Sequence, residues 1–175
     1  MNVNVRRRML VAAGVCAAGG LGVAEYLERR PRPPAGEPLT LDIDRLVAGR
    51  LMPVEWNKHT VWVLRRTSEE LAGLAERESE LVDPQSEHSL QPDYCRNRHR
   101  SLRPEVLVVL GECTHQGCTP QLRNERAPFG EFLCPCHTSK FDLAGRVFRA
   151  GPALTNMTVP EYRFDGEQRL VLGVS

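Results

Sequence analysis

Residues 113–118 read C-T-H-Q-G-C, and residues 134–139 read C-P-C-H-T-S. Each stretch holds a cysteine and a histidine in close succession, and residues 119–133 separate the two stretches. A near-continuous apolar run, Glu105 to Gly111, leads into the first stretch and predicts a strand that is buried on both faces. Two loops that project from two strands can hold one metal centre between them. The sequence therefore predicts a β domain that carries a metal site.

The candidate metal ligands are Cys113, His115, Cys134 and His137. Two cysteines and two histidines also form structural zinc sites, so a zinc-stabilised binding module is one alternative. Zinc fingers place their two cysteines together and their two histidines together, whereas each stretch here supplies one of each. The spacing therefore argues against a zinc finger.

The charge balance and the positions of the cysteines and histidines exclude some classes of partner and of metal ligand. The chain has 23 Lys and Arg against 22 Asp and Glu, so no strong charge points to nucleic acid or to an acidic partner. Four of the six cysteines fall between Cys113 and Cys136, clustered rather than spread as a disulfide framework. Three more histidines, His59, His88 and His99, stand in polar surroundings, and we predict solvated side chains there rather than ligands.

Residues 1–28 predict an export signal and a single transmembrane anchor helix. Arginines at 6, 7 and 8 precede an uncharged run, residues 9–24, as in twin-arginine signals. A helix over this run spans about 24 Å against a hydrocarbon core of about 30 Å, and extension through Leu27 nearly closes the difference. The small residues at 22–24 fit a cleaved signal peptide equally well, so retention and cleavage both stay open.

Residues 29–38 contain four prolines and predict a semi-rigid hinge, after which we predict one folded domain over 39–175. Strands are predicted over residues 39–43, 60–64, 105–111, 132–133, 146–148, 157–164 and 169–172. A turn is predicted over 57–59, and helical spacing predicts one short helix within 67–82. The expected class is mainly β, antiparallel, with one short helix insert.

Three side chains outside the two stretches also have predicted roles. Trp56 and Trp62 flank the first turn and are predicted to pack in the core or at an interface rather than to take a redox role. Residues 83–103 are polar and show no clear periodicity, so they predict a surface loop. Cys95 lies within that loop, and we predict an exposed free thiol rather than a ligand.

The chain resembles the Rieske iron–sulfur subunit of the cytochrome bc complex, ubiquinol–cytochrome c reductase, of the proteobacterial type. The resemblance covers nearly the whole length. It runs in order through the twin-arginine-like start, the hinge, the strand into C-T-H-x-G-C, the C-P-C-H-x-S stretch and the loop Gly151-Pro152-Ala153. This implies a Rieske-type β domain with a small cluster-binding subdomain over about 111–153.

By matching position, the resemblance implies one two-iron two-sulfur cluster. Cys113 and Cys134 would bind the buried iron, and His115 and His137 would bind the outer iron. The hydroxyl of Ser139 would donate a hydrogen bond to a cluster sulfur.

The resemblance also implies that Cys118 pairs with Cys136. An exported protein meets an oxidising environment, so we predict this disulfide over two free thiols, with a contribution of about 3 kcal/mol to stability. Soluble Rieske ferredoxins generally lack such a pair, which makes that class the second alternative.

The function implied is that of a one-electron carrier, a subunit of quinol–cytochrome-c reductase, which is both an oxidoreductase and a translocase. Neutral imidazoles raise the cluster potential, and His115 and His137 are the catalytic candidates because an exposed ring can take the quinol proton. The implied partners are quinol, cytochrome b, a c-type cytochrome and the membrane, within a dimeric complex and without nucleic acid. The implied location is the bacterial inner membrane, single-pass, with the cluster domain on the periplasmic side.

Four positions depart from the family pattern. Gln116 stands where Leu is usual, so shielding of the cluster and quinol fit should differ, and Leu154 stands where Pro is common. Thr138 stands where Gly is usual, so its backbone is expected to avoid positive φ. Phe141 stands where Tyr is frequent, and the lost hydrogen bond should lower the potential by about 40 to 60 mV, into the middle of the Rieske range.

Overall fold

The computed structural model describes residues 36–123 and 130–174. The predicted anchor over residues 1–28 lies outside these residues, as does the predicted hinge except for its last three positions. Within the two described ranges, no helix has both the length and the apolar character to cross a bilayer.

Nine strands and one α-helix make up the regular structure of the described ranges. The strands are β1 (Leu39–Asp42), β2 (Arg50–Trp56), β3 (His59–Arg65), β4 (Val106–Leu110), β5 (Gln121–Arg123), β6 (Glu131–Leu133), β7 (Lys140–Asp142), β8 (Tyr162–Asp165) and β9 (Arg169–Leu172), and the helix is α1 (Ser68–Glu76). They form three antiparallel three-stranded sheets in the orders β1-β9-β8, β2-β3-β4 and β5-β6-β7. The mainly β, antiparallel class is confirmed.

The β2–β3 hairpin confirms the predicted turn. Asn57 and Lys58 both have positive φ, 50° and 65°, which is the combination of a two-residue type I′ turn. β2 itself was not predicted. It is an edge strand with mostly exposed or half-buried side chains, and its Pro53 is tolerated because one side of an edge strand needs no N–H donor.

β4 confirms the prediction of a strand buried on both faces. All five of its side chains, Val106 to Leu110, are buried. The predicted core residues Trp56 and Trp62 are also buried, with 5% and 4% of their surface exposed. These residues belong to one continuous hydrophobic core that extends to Cys113 and Cys134. The apolar strands therefore end at the candidate metal ligands.

The helix is shorter than predicted. It begins at a capping box, in which the Thr67 hydroxyl accepts the Glu70 N–H at 3.2 Å and the Glu70 carboxylate accepts the Thr67 N–H at 2.9 Å. It ends at Glu76, and a single 3₁₀ turn comes next at Glu78–Glu80. Leu81 then has an extended backbone and forms an isolated bridge with Phe148. Its side chain is fully buried.

Two predicted strands are largely wrong. Of residues 146–148, Val147 and Phe148 form only isolated bridges, and of residues 157–164 only the last three belong to a strand, β8. The side chains of Met157 and Val159 are buried without a ladder, so their apolar pattern reflects core packing rather than a strand. The predicted surface loop 83–103 also contains a 3₁₀ turn at Asp93–Cys95 and several buried polar side chains.

Candidate metal centre

β4 and β6 bring the two cysteine–histidine stretches together. Gly111 comes directly after β4, and a Cβ on it would stand 2.7 Å from the Trp62 ring, so the chain passes directly over that indole. Trp62 packs in turn on Phe132 of β6, with ring centroids 5.1 Å apart. Because Phe132 lies two residues before Cys134, this packing places the second stretch beside the first.

Residues 113–118, the first loop, and residues 134–139, the second loop, share one backbone pattern. In both loops the N–H of the first residue donates to the carbonyl of the sixth at 2.8 Å. The N–H of the fifth residue donates to the carbonyl of the first, at 2.8 Å in the first loop and 3.0 Å in the second. Each loop is therefore a self-contained turn that returns the chain to its starting point.

The fifth position of both loops has a left-handed backbone. Its φ is 78° at Gly117 and 60° at Thr138. The expectation that Thr138 would avoid positive φ is therefore wrong. The two hydrogen bonds that close the loop impose this conformation, and they outweigh the cost of a β-branched side chain there.

A disulfide joins the two loops. Cys118, the sixth residue of the first loop, is bonded to Cys136, the third residue of the second, with the sulfurs 2.12 Å apart and the Cα atoms 6.6 Å apart. The bond spans the pair implied by the resemblance and holds the two turns side by side.

The first residue of each loop is a buried free thiol. Cys113 and Cys134 are 3% and 1% exposed. Burial raises the pKa of the Cys113 thiol, and the neighbouring Cys134 thiol raises it further. The backbone N–H of His115 and the hydroxyl of Ser139 act in the opposite direction as hydrogen-bond donors to the Cys113 sulfur. Two adjacent thiols thus face one another within a shell of donors.

The two histidines lie on the solvent side of the thiols. The rings of His115 and His137 have centroids 4.8 Å apart and stand nearly perpendicular, at 87°. His115 is half-buried, whereas His137 is exposed. All four predicted ligands therefore occupy the two linked loops, with sulfur inside and imidazole outside.

Another group of three sulfurs shares Cys134 with the four predicted ligands. The sulfurs of Cys118, Cys134 and Cys136 lie within 4.8 Å of one another. Two of these belong to the disulfide, and a disulfide sulfur carries no thiolate charge for a metal. Among the cysteines of the two loops, Cys113 and Cys134 are therefore the ones whose thiols remain free.

Residues 84–163 match the family model described as "Rieske [2Fe-2S] domain". The "Ubiquinol-cytochrome c reductase iron-sulfur subunit" of Allochromatium vinosum is 43% identical over 97% of this chain and 88% of that protein. The chain belongs to the Rieske family of ubiquinol–cytochrome c reductase iron–sulfur subunits.

A second relative has the same name, and one solved structure aligns with most of the chain. The protein of the same name from Blastochloris viridis is 33% identical over 93% of this chain and 85% of that protein. A chain of the solved structure titled "Hyperthermophilic respiratory Complex III" aligns with a TM-score of 0.49 at 21% identity, covering 92% of this chain and 98% of that chain.

The cofactor of this Rieske chain is one two-iron two-sulfur cluster. The donors present fit it, because a mixed set of two thiolates and two imidazoles is the Rieske ligand set. The family membership therefore speaks against the alternative prediction of a zinc-stabilised binding module. The hydrogen bonds that reach the Cys113 sulfur are also of the kind that stabilise thiolate ligands in such centres.

A third loop braces both cluster loops. The hydroxyl of Ser139 accepts the N–H of Ala153 at 3.1 Å, and the hydroxyl of Thr114 donates to the carbonyl of Thr155 at 2.6 Å. Gly151 has φ 140°, and a Cβ on it would stand 2.9 Å from the Cα of Ser139. Leu154 in this loop is 69% exposed. Thr114 was not singled out from the sequence, since only the fold places Thr155 beside it.

A buried pair of opposite charges lies directly after the second loop and β7. Asp142, at the end of β7, accepts the Arg146 Nε–H at 2.7 Å and the backbone N–H groups of Ala144 and Arg146 at 2.9 and 2.8 Å. Arg146 has no exposed surface and also donates to the carbonyl of Leu74 at 2.7 Å. The sequence analysis missed this pair, although an Asp and an Arg four residues apart in D-x-x-G-R could have signalled it.

Two more buried arginines hold the carbonyls between Asp142 and Arg146. Arg66 donates to the carbonyl of Leu143 at 3.0 Å, and Arg100 donates to the carbonyl of Gly145 at 3.3 Å. Burial lowers the pKa of both guanidinium groups to about 10, while the nearby Asp142 opposes that shift. The turn after β7 is therefore fixed by side chains from distant parts of the chain.

Cys95 is a free thiol, but the prediction that it is exposed is wrong. It has no exposed surface, and its thiol donates to the Tyr162 hydroxyl at 3.6 Å. The Tyr94 hydroxyl also exchanges hydrogen bonds with the Tyr162 backbone, at 2.7 Å to its carbonyl and 2.8 Å from its N–H. The polar segment 83–103 packs against β8 through these residues, and burial raises the pKa of the Cys95 thiol.

The three remaining histidines differ from one another. His88 is exposed, as predicted. His59 is half-buried with its Nδ1 2.7 Å from a Glu112 carboxylate oxygen, and His99 is half-buried with burial lowering its pKa. The prediction of solvated side chains is therefore wrong for His59 and His99, whose neighbours come from distant residues. No group of metal-binding side chains in the described ranges includes any of the three.

Proposed function

We propose that this chain carries single electrons from quinol to a c-type cytochrome within quinol–cytochrome c reductase. The observation that carries the proposal is that two disulfide-linked loops hold two buried free thiols and two neighbouring imidazoles, one of which is exposed. The names of the two relatives, which are subunits of ubiquinol–cytochrome c reductase, support it.

Each ligand has a separate role in this proposal. Cys113 and Cys134, which are buried, would hold the inner iron, and His115 and His137, which are half-buried and exposed, would hold the outer iron. When bound, the cluster supplies a one-electron acceptor whose potential is raised by the replacement of two thiolates with neutral imidazoles. Ser139 positions the Cys113 sulfur with its hydroxyl and is itself held by Ala153.

The exposed imidazole gives the site its proton chemistry. A ring nitrogen of His137 is available to accept a hydrogen bond, and then the proton, from a quinol hydroxyl, because this residue is exposed. His115, half-buried, is the second candidate for the same role. The two thiols are buried, so this proposal places proton transfer at the imidazoles.

The cellular arrangement is part of the proposal. Residues 1–28 form the anchor, 29–38 the hinge and 39–175 the Rieske domain, with the cluster-binding subdomain at about 111–153. The partners are cytochrome b and a c-type cytochrome in a dimeric complex of the bacterial inner membrane, with the cluster domain on the periplasmic side. The complex acts as an oxidoreductase and translocase. A soluble Rieske ferredoxin is less well supported, because the two relatives align over most of their length with this chain.

Electron paramagnetic resonance tests the centre and its electron donor. The full chain, purified in its complex, should show a mixed-ligand two-iron two-sulfur spectrum after reduction with dithionite and the same spectrum after reduction with quinol. A dithionite signal without a quinol signal would reject quinol oxidation and leave the cluster intact. A spectrum of all-thiolate type would reject the ligand assignment itself.

Mass spectrometry of the mature chain tests the anchor. A retained N-terminus, together with extraction from membranes only by detergent, is the expected result. A mature chain that begins after residue 24 and stays in the aqueous fraction would replace the anchored carrier by the soluble alternative.

A further inference from the structure

The third loop, residues 151–157, contacts both cluster loops but contains no helix or strand of its own. Its Ala153 N–H donates to the Ser139 hydroxyl at 3.1 Å. The residues on either side of Ala153 are exposed, so they do not hold this N–H in place. The next residue of the loop that is buried is Asn156. The position of Ala153 therefore depends on how Asn156 is fixed.

Asn156 is 1% exposed, and both polar atoms of its side chain are hydrogen-bonded. Its Nδ2 donates to the carbonyl of Asp83 at 2.9 Å and to the hydroxyl of Ser86 at 3.2 Å. Its Oδ1 accepts the N–H of Val147 at 2.9 Å, and its backbone N–H donates to the hydroxyl of Ser89 at 3.1 Å. Three of these four partners lie in the segment that the sequence predicted to be a surface loop.

The carboxylate of Asp83 holds that segment in a closed turn. It is buried and accepts the N–H groups of Glu87 and His88 at 2.8 and 3.0 Å. It also accepts the Ser89 hydroxyl at 2.7 Å. Because the Ser89 hydroxyl gives its proton to Asp83, its oxygen is free to accept the Asn156 N–H. A continuous series of buried hydrogen bonds therefore joins Asp83 to the third loop.

The Ser139 hydroxyl is where the third loop meets a cluster ligand. The Ala153 N–H occupies one lone pair of this hydroxyl, whose proton is donated to the Cys113 sulfur. A hydrogen bond to a ligand sulfur stabilises the reduced, more negative state of such a centre and raises its potential. The placement of the third loop therefore bears on the hydrogen bond that reaches the ligand.

We propose that Asp83, Ser89 and Asn156 are positioning residues that raise the midpoint potential of the cluster. They act by holding the third loop against Ser139, and none of them is a ligand. The inference rests on the ligand set of the proposed function, in which Cys113 binds the cluster. Loss of the support lets the Ser139 hydroxyl turn away from the sulfur, and the potential falls.

Two buried serines of the same segment supply a variant and its matched control. Ser89→Ala removes the hydroxyl that links Asp83 to the third loop. Ser101→Ala is the control, because the Ser101 hydroxyl is also buried and also makes two hydrogen bonds. It accepts from Arg66 at 2.8 Å and donates to the carbonyl of His99 at 3.2 Å, and neither residue belongs to the third loop. The two variants lose similar contacts in different places.

The first test is a redox titration of the full chain in its complex, followed by electron paramagnetic resonance. Ser89→Ala should lower the equilibrium constant for reduction about threefold, or about 30 mV, since about 59 mV is tenfold for one electron and the Ser139 bond is weakened rather than lost. Ser101→Ala should leave the potential unchanged. When Ser139 is already alanine, Ser89→Ala should cause no further fall, because the hydroxyl through which it acts is absent.

Asp83→Asn separates positioning from direct electrostatics. Removal of a negative charge would by itself raise the potential of a centre that becomes more negative on reduction. Loss of the closed turn has the opposite sign, so we expect the equilibrium constant for reduction to fall about threefold here too. A rise of the potential in Asp83→Asn would overturn the positioning role.

Hydrogen exchange measures the support of the third loop without reference to the potential. Amide exchange of the peptides that cover 151–157, followed by mass spectrometry of the purified complex, should be about fivefold faster in Ser89→Ala, the effect of one lost hydrogen bond. It should be unchanged in Ser101→Ala. Equal exchange in Ser89→Ala and the unmodified chain would contradict the inference.

Two results of the titration would also overturn it. An unchanged potential in Ser89→Ala would do so, and an equal fall in Ser101→Ala would show a general effect of lost stability. A full threefold fall when Ser139 is already alanine would overturn the route through that hydroxyl. An unmodified chain without a mixed-ligand spectrum would overturn the proposed ligand set, whereas the other outcomes leave that set intact.

Discussion

The first and second loops have the same backbone and different chemistry. Both close with the same two hydrogen bonds and the same left-handed fifth residue, and both begin with a buried thiol. The first loop places its histidine third and its disulfide cysteine sixth, while the second places its cysteine third, its histidine fourth and a serine sixth. Identical turns thus present their side chains in different directions, and the two imidazoles meet although they stand at different positions.

The segments on the C-terminal side of the two loops also differ. The first loop leads into β5, whose side chains are exposed or half-buried, whereas the second leads into β7 and the buried Asp142–Arg146 pair. The second loop is therefore followed by buried residues on its C-terminal side, while part of the loop itself is exposed to solvent. The two loops therefore differ in the burial of the segment that follows each of them and not in their own backbone hydrogen bonds.

The largest expected effect concerns the thiols that the loops share. Cys113→Ser and Cys134→Ser should each abolish the cluster completely, because each thiol is the first residue of a loop and, in the proposed ligand set, each would supply one of the two thiolates that hold the inner iron. Iron content and the resonance spectrum of the reduced protein measure this.

Cys95→Ser is the matched control, since Cys95 is an equally buried free thiol outside both loops. It should keep the cluster. Retention of the mixed-ligand signal in Cys113→Ser or Cys134→Ser would show that the two first positions are not equivalent ligands.

A smaller effect tests the different supports of the two loops. Arg146→Met should lower the free energy of unfolding by about 3 to 5 kcal/mol, because it leaves the carboxylate of Asp142 buried without its partner. Arg123→Met, on the exposed side of β5 after the first loop, should change it by no more than about 0.5 kcal/mol. Denaturant unfolding of both variants measures the difference, and equal losses would refute the asymmetry.

The third effect compares the two hydroxyls that tie the loops to residues 153–155. Ser139→Ala and Thr114→Val should each cost about 1 kcal/mol of unfolding free energy, for one lost hydrogen bond. Only Ser139→Ala should also lower the midpoint potential, by about 40 mV, because its hydroxyl donates to the Cys113 sulfur. A redox titration that finds equal potentials for the two variants would remove this distinction.

A shift of the midpoint potential without a change of ligand or loop contact is expected at Phe141, which is fully buried in β7 after the second loop. Phe141→Tyr should raise the midpoint potential by about 40 to 60 mV by restoring one hydrogen bond toward the cluster. Potentiometric titration of the variant checks this. An unchanged or lower midpoint would contradict it.

The features that depend on short stretches of sequence were predictable. β4, with five apolar residues in a row, and β9 lie where the pattern placed them, and the turn at Asn57 and Lys58 is explained by its position before an alternating strand. The four candidate ligands could be found because a cysteine and a histidine recur within a few residues in both loops. β2, β5 and β7 escaped notice, since short or edge strands carry too few apolar residues for a clear pattern.

By itself, the sequence determined the ligand types, the cysteines available for the disulfide and the apolar strands that end at the loops. Only the tertiary structure decided that Cys95 is buried against Tyr162, that three buried arginines lie around Asp142, and that Thr138 has a left-handed backbone. Each of these depends on groups that are distant in the chain or on the closure of a whole turn. Residue type sets the chemistry that a position can supply, but its burial and backbone angles are set by the neighbours that folding brings to it.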